Sequence, residues 1–267
     1  MIREPIADGQ FYPGSSKGLR AMIESMVNDK PGKVEVIGLI SPHAGYIYSG
    51  MVAGAVISKI KLGDVFVLLG PNHTGRGKSF SIMTEGTWVT PLGETEVDSE
   101  LGNRILASSS YLEKDAAAHQ FEHSLEVQVP FLQYFKPDVR IVPVILAHAR
   151  GNIYKKIGKE LAGAIKGSKK RVTILASSDM THYEPQESAR KKDSEAIEAI
   201  LDLDEDELLR RVTDFDISMC GYAPVVSLIS AAKEMGAKKA ELVKYQTSGD
   251  ASGDYSSVVG YAGILIK

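Results

Sequence analysis

The sequence has one cysteine, and it contains no long apolar run. Cys220 on its own cannot form an internal disulfide, and the amino terminus shows no apolar core of a secretory signal peptide. We therefore expect a reducing, cytoplasmic compartment. No apolar stretch approaches the roughly 20 residues that cross a bilayer, so membrane insertion is not expected.

Blocks of like charge are also scarce. The net charge is −3, from 31 basic and 34 acidic residues, and the densest basic clusters, at 169–171 and 190–192, are short. This distribution predicts no nucleic-acid partner. No Gly/Ser/Pro-rich linker, repeat or low-complexity tract divides the chain, and 43% of its residues are apolar. We predict a single domain over residues 1–267.

The chain alternates between apolar runs and helical patterns, which predicts an α/β fold with a largely parallel or mixed central sheet flanked by helices. Runs rich in Val, Ile and Leu predict buried strands at 34–40, 64–70, 140–146, 171–177, 240–246 and 256–266. Spacing of apolar residues predicts helices at 46–61, 98–108, 151–167, 187–201, 204–212 and 222–235. The turn-rich stretch 80–96, which contains Trp88, is expected to form a hairpin or irregular excursion that could cover the strand edge as a lid.

Three of the six histidines, His43, His73 and His182, follow closely on an apolar run. In a parallel sheet such positions lie at the carboxyl edge, where ligands bind. Imidazole is a common metal ligand and titrates near neutral pH, so the pattern predicts a shared site for metal binding, proton transfer or both. His148 follows a fourth run, but its alanine neighbours offer no partner chemistry, and we interpret it as structural.

Two further polar positions belong to the same argument. Asp179 precedes His182 by three residues, so its carboxylate could orient that imidazole or join it at a metal, or cap the following turn. Ser177 and Ser178 suggest a Ser-His-Asp hydrolase, but the G-x-S-x-G elbow is missing and serine is common in turns. Cys220 stands at the entry to a helical pattern, where a helix amino terminus would lower the thiol pKa and make it a ligand or nucleophile; composition alone favours a buried, inert cysteine.

Residues 119–123 match the letters H-x-x-E-H, a zinc-peptidase pattern. The pattern needs one continuous helix and a third acidic ligand, whereas the residues from Asp115 onward are equally typical of a loop. It stays as an alternative. Otherwise this segment begins an amphipathic helix with polar Glu122, His123 and Glu126 and with Leu125, Val129 and Phe131 as core candidates.

Seven ordered motifs resemble the Memo-like family. They are IADGQFYP at 6–13, SPHAGYIYSG at 41–50, LLGPNHTG at 68–75, TPLGETEVD at 90–98, EHSLEVQ at 122–128, SSDMTHY at 177–183 and MCGYAP at 219–224. They run from the amino terminus almost to the end of the chain. The resemblance implies a fold similar to the catalytic subunit of class III extradiol dioxygenases, which are non-haem iron enzymes.

The resemblance also implies roles for particular residues. His43, His73 and Cys220 are then expected to surround a metal, His182 to act as an acid/base with Asp179 beside it, and His123 to line the pocket. Extradiol dioxygenases hold iron with two histidines and a carboxylate, whereas the third position here is a thiol. This softer donor set suits copper or zinc at least as well as iron, so we expect one transition metal ion, with iron or copper favoured and zinc as the alternative.

Three functions follow as hypotheses. The first is a metal-dependent, redox-capable enzyme. The second is a binding module that holds a small-molecule or peptide ligand without turnover, with Trp88 and Tyr46 in loops near the pocket. The third is a hydrolase with Cys220 as nucleophile and His182 as base. Family members often lie in genomes beside radical-SAM proteins, so the resemblance also implies a link to such a partner. A homodimer is compatible with the sequence, although no apolar stripe specifies one.

Overall fold

A computed structural model describes residues 1–27 and 32–267. Its strands are β1 (Ile2–Arg3), β2 (Gly38–Ser41), β3 (Val65–Pro71), β4 (Phe80–Ile82), β5 (Thr87–Thr90), β6 (Gly93–Glu96), β7 (Glu113–Lys114), β8 (Arg140–Leu146), β9 (Val172–Ser177), β10 (His182–Glu184), β11 (Ala240–Thr247) and β12 (Val258–Ile266). Its helices are α1 (Ser16–Met26), α2 (Tyr46–Ser58), α3 (Ser99–Ser108), α4 (Ala117–Gln120), α5 (His123–Glu126), α6 (Val129–Phe135), α7 (Gly151–Lys166), α8 (Gln186–Leu201), α9 (Glu205–Asp214), α10 (Tyr222–Glu234) and α11 (Gly249–Ser252).

The large sheet has a parallel centre. Strands β2, β9, β3 and β8 lie side by side in that order and point the same way, so their carboxyl ends meet at one edge. Antiparallel strands flank this centre, with β12 beside β2 and β4 beside β8. The predicted α/β fold with a mixed sheet and flanking helices is confirmed.

The two faces of this sheet are covered by separate layers of helices. Strand β3 shows the arrangement, because successive side chains alternate between faces. Val65, Val67 and Leu69 pack in the layer that holds α7 and α10, and Phe66 and Leu68 pack in the layer that holds α1 and α2. Burial on both faces explains why the central strands are continuous apolar runs.

Most predicted elements agree with the structure to within a few residues. The strand predicted at 34–40 begins only at Gly38, and the helix predicted at 46–61 ends at Ser58. The sequence predictions did not include α1, α4 or α11. Among the described residues, no helix is both long and apolar enough to span a bilayer.

The hairpin predicted within 80–96 is present, but it does not cover the strand edge as a lid. Strand β4 joins the large sheet, and β5 and β6 form a hairpin that pairs with β1 in a separate three-stranded sheet. This hairpin leads into Asp98, whose backbone N–H donates to the Ile141 carbonyl at the amino end of β8, away from the carboxyl edge. Trp88 is 1% exposed and lies beneath the Arg3 guanidinium. The hairpin therefore contributes to the core.

Candidate metal centre

Three imidazoles meet at the carboxyl edge of the sheet. His43 follows β2, His73 follows β3, and His123 is the first residue of α5. Their ring centroids are 5.0 to 5.6 Å apart. Each ring offers a nitrogen, and these three nitrogens lie within 4.8 Å of one another, a grouping that can hold a metal ion. The structure therefore brings together His43 and His73, two of the three histidines predicted to meet at this edge.

The tautomer of His43 is fixed by Ser177. The Ser177 hydroxyl donates its only proton to the Ser124 carbonyl at 2.7 Å, so its oxygen accepts the Nδ1–H of His43 at 3.0 Å. His43 thus presents a lone pair at Nε2. Burial, reinforced by the nearby His73, lowers the pKa of His43 to about 3, which keeps the ring neutral at physiological pH.

Glu122 holds His73 through two hydrogen bonds. Its carboxylate accepts the His73 backbone N–H at 2.7 Å and the ring Nδ1–H at 2.9 Å. Burial alone would lower the pKa of His73, but the hydrogen bond and charge of Glu122 outweigh it and raise that pKa. Burial would likewise raise the pKa of Glu122, but His73 lowers it to about 2. A carboxylate bonded to one ring nitrogen is the usual way in which proteins orient a metal-binding histidine.

His123 completes the group of three nitrogens. Its ring stacks on the His73 ring. It also packs against the Phe11 ring, and the centroids of these two rings are 4.6 Å apart. Burial, together with the nearby His43, lowers the pKa of His123 to about 4, so this imidazole is also neutral at pH 7. A neutral ring has a free nitrogen lone pair, which makes His123 competent as a ligand.

Cys220 contacts the group through His43. Its Sγ lies 3.2 Å from His43 Nε2, and it accepts the backbone N–H of Asp179 at 3.3 Å. Burial and the charge of Asp179 raise the pKa of this thiol. The expectation that a helix amino terminus lowers it is wrong for the metal-free chain, because the sulfur is desolvated beside a carboxylate.

Asp179 supports His43 rather than His182. Its Oδ1 accepts the backbone N–H of His43 at 2.7 Å. The His182 ring is oriented by a different group, because its Nδ1–H donates to the Ser218 carbonyl at 2.8 Å. A carbonyl only accepts, so His182 has its lone pair on Nε2. The prediction that Asp179 orients this imidazole is wrong, because Asp179 turns inward after β9 while His182 leaves in β10.

The zinc-peptidase pattern lacks the helix that it requires. Helix α4 ends at Gln120 and α5 begins at His123, with Phe121 in a non-helical conformation between them. His119 is fully buried, and its Nε2 lies 2.7 Å from the Ser81 hydroxyl. It is therefore outside the group of three histidines.

Three further residues do not have the surroundings that the sequence predicts for them. Ser177 is buried and uses its proton on a backbone carbonyl, so it is not aligned as the nucleophile of a serine hydrolase. Trp88 and Tyr46 are predicted in loops near the pocket, but Trp88 lies in β5 and Tyr46 begins α2, with its hydroxyl donating to the Val127 carbonyl. Both aromatic side chains are buried.

A network around Glu126 fixes the segment that carries His123. The Glu126 carboxylate accepts from Arg3 at 2.6 Å and from the Tyr12 hydroxyl at 2.6 Å, as well as from two backbone N–H groups near the amino terminus. Arg3 also donates to the carbonyls of His119 and Glu122. The amino-terminal segment therefore acts as a strap across the residues that position the histidines.

A cavity of about 440 Å³ adjoins the centre. His73 and Cys220 line one part of it, and His148 and Tyr222 line another. The His148 Nδ1 lies 3.0 Å from the Tyr222 hydroxyl. The interpretation of His148 as a structural residue agrees with this hydrogen bond. It did not predict that His148 lines a cavity.

Sequence reasoning missed three supporting residues. The sequence presents Glu122 only as the polar start of a helix and Ser177 only as turn or hydrolase chemistry, and it gives no sign of Ser218. Their contacts span 49, 134 and 36 positions of the chain. Glu122 directly precedes His123 in the EHSLEVQ motif, and this adjacency is the one signal that points to it.

Comparisons with known proteins match most or all of the chain. The family model described as Memo-like protein matches residues 3–265. A MEMO1 family protein of Methanococcoides burtonii is 46% identical over 268 residues, covering 100% of both chains. A MEMO1 family protein of Desulfurococcus amylolyticus is 44% identical, covering 98% of each. Among solved structures, an uncharacterized protein of Escherichia coli K12 is similar in fold, with a TM-score of 0.54, 14% identity, and coverage of 79% of this chain and 89% of that one.

Proposed function

This chain belongs to the Memo-like protein family, and we propose that it is a metal-dependent enzyme that binds one transition metal ion at the carboxyl edge of its sheet. The observation that carries the proposal is the pair of histidines whose Nδ1 atoms are both engaged. Ser177 occupies Nδ1 of His43 and Glu122 occupies Nδ1 of His73, so each ring offers Nε2 to an ion.

We assign His43, His73 and Cys220 as the ligands. The 3.2 Å contact between Cys220 Sγ and His43 Nε2 is close to the spacing of two ligands on one ion, given metal–sulfur and metal–nitrogen bonds of roughly 2.3 and 2.1 Å. A thiolate also balances part of the charge of the cation, which three neutral imidazoles do not. His123 lies close enough to serve as a fourth donor.

The donor set fits a soft or borderline ion. Imidazole and thiolate together favour copper, iron or zinc over magnesium or calcium. We favour iron or copper, because either ion would supply one-electron redox chemistry when bound. The absence of a carboxylate ligand separates this site from that of extradiol dioxygenases, and we do not extend ring cleavage to this chain.

The remaining polar residues have roles that follow from their hydrogen bonds. His182 carries its proton on Nδ1 and presents Nε2 as a base at the rim of the site. Asp179 holds the His43 backbone and touches Cys220, so it keeps two ligands together. Because the pKa of the thiol is raised, ligation by Cys220 must release a proton, and metal affinity is expected to increase with pH.

The test is metal content after anaerobic purification without chelator. We expect stoichiometric iron or copper in the wild type and loss of that metal in His43→Ala, His73→Ala and Cys220→Ser. A His148→Gln variant, which alters a nearby imidazole that is not a ligand, should retain it. A wild type that is metal-free and takes up no added iron, copper or zinc would contradict the proposal and favour the binding module.

A further inference from the structure

The cavity beside the metal centre has a second polar end. His148 and Tyr222 line it together with His73 and Cys220, so a single small molecule can reach both groups. Its volume of about 440 Å³ is within the range of roughly 300–1,000 Å³ that is usual for small-molecule sites.

Hydrogen bonds hold His148 in place on the cavity wall. The Tyr154 hydroxyl donates to the Ala147 carbonyl at 3.2 Å and accepts the Ala149 backbone N–H, so it fixes the backbone on both sides of His148. The Tyr222 hydroxyl lies 3.0 Å from His148 Nδ1. In the tautomer in which this hydroxyl donates to Nδ1, the ring carries its proton on Nε2 and presents Nε2–H as a donor to a ligand.

Other polar side chains on the cavity wall are satisfied within their own loop. The Thr74 hydroxyl donates to Asn72 Oδ1 at 3.1 Å, and Asn72 Nδ2 donates to the Arg76 carbonyl at 3.0 Å. Away from the metal centre, His148 and Tyr222 are thus the main polar side chains that can bind a ligand.

The electrostatics favour an anion. No carboxylate is present among the described residues that line the cavity. Helix α10 begins at Tyr222 with no side-chain cap and no acidic residue in its first turn, which adds a modest positive potential. The Nε2–H of His148 adds a hydrogen-bond donor.

We propose that His148 and Tyr222 form a subsite for the carboxylate of a small substrate whose other end reaches the metal centre. This proposal rests on the proposed function, since the metal ion defines the other end of the cavity. It assigns the substrate class as small organic acids that carry a metal-binding group.

The test compares acids with their neutral amides on zinc-loaded protein. The probes are imidazole-4-acetate and imidazole-4-propionate, which differ in reach, and the amide of each. In the wild type we expect at least one acid to bind about tenfold more tightly than its amide, as one charge-assisted hydrogen bond would give. The preference should disappear in His148→Gln and weaken in Tyr222→Phe, with zinc content unchanged and with Tyr255→Phe as the control. Equal binding of acid and amide at both lengths would overturn the proposal.

Zinc uptake is measured first, so that a failure of the proposed metal centre can be distinguished from a failure of the proposed subsite. A wild type that takes up no zinc overturns the metal centre. The subsite is then tested on the metal-free protein by NMR of the His148 imidazole during titration with the same acids. A shift that the amides do not produce supports the subsite, and the absence of any shift overturns it.

Discussion

Glu122 is a buried carboxylate that makes two hydrogen bonds to one histidine. In Glu122→Gln the negative charge that orients and polarises His73 is lost. We expect metal affinity to fall by about 10- to 100-fold, the usual effect of removing such a partner. Competition titration with a chelator of known affinity measures this. Glu24→Gln, an exposed change on α1, is the control, and an affinity equal to that of the wild type would contradict the role of Glu122.

The histidines show which part of a site can be predicted from sequence. His43 and His73 each follow the end of a strand, and a strand end is visible as the end of an apolar run. The residues that orient these histidines are not visible in the sequence, because Ser177 and Glu122 come from other elements. His182 also follows a strand, but local pairing of β10 with β12 and the bond to Ser218 set its ring, so the prediction of its orienting partner is wrong.

Gly221 allows the loop of Cys220 to approach β9 closely. A Cβ at this position would lie 2.4 Å from the Ser177 carbonyl oxygen and 2.4 Å from Ser178 Cβ. We expect Gly221→Ala to lower the free energy of unfolding by about 1–3 kcal/mol, and to weaken metal binding because the thiol is displaced. Urea denaturation and metal titration measure the two effects.

Gly163 on α7 is the matched control for this change. A Cβ there meets no atom within 4 Å. Gly163→Ala should therefore raise the stability, by about 1 kcal/mol from helix propensity, and leave metal binding as it is. Equal behaviour of the two alanine variants would show that the close approach at Gly221 is unimportant.

The strap formed by the amino-terminal segment depends on the ion pair of Arg3 and Glu126. Both side chains are almost fully buried, at 3% and 0% exposure. Removing one partner leaves an uncompensated buried charge, so Glu126→Gln is expected to cost about 3–5 kcal/mol of stability. Chemical denaturation measures the loss. Glu35→Gln, in the exposed pair with Lys61, should cost less than about 1 kcal/mol; comparable losses would contradict this view of the strap.

Strands and helices with a clear pattern of apolar residues were predicted well. Elements whose position depends on tertiary contacts were not. The central strands are buried on both faces and read as apolar runs. The hairpin of β5 and β6 is rich in turn residues, which is typical of a lid, yet β1 pairs with it and Arg3 covers Trp88. Those contacts come from the amino terminus, about 85 residues away.

Among the described residues, three imidazoles are held neutral at pH 7, with His43 and His119 buried and His123 half-buried. Burial is the main cause that lowers the pKa of His43 and His119 to about 3 and that of His123 to about 4. In the unfolded chain these rings protonate near pH 6.5, so stability is present above that pH and is lost as the pH falls toward the folded values. Each ring contributes up to about 1.4 kcal/mol per pH unit. His73 acts in the opposite sense, since its raised pKa favours the folded state at lower pH.

His119 isolates this effect because it lies outside the metal centre. We expect His119→Gln to reduce the slope of stability against pH by about 1 kcal/mol per pH unit between pH 6 and 4.5 in metal-free protein. Denaturation at a series of pH values measures the slope, with His148→Gln measured alongside as a histidine change outside the core. An unchanged slope in His119→Gln would show that its imidazole is not held neutral.

The measurement that tests the metal centre most directly is the absorption spectrum of cobalt-substituted protein. We predict a thiolate-to-cobalt charge-transfer band in the near ultraviolet for the wild type. The band should be absent in Cys220→Ser and in His43→Gln, and should persist in His123→Gln. A wild-type spectrum without the band, or a band that survives Cys220→Ser, would contradict the assignment of His43, His73 and Cys220 as the ligands.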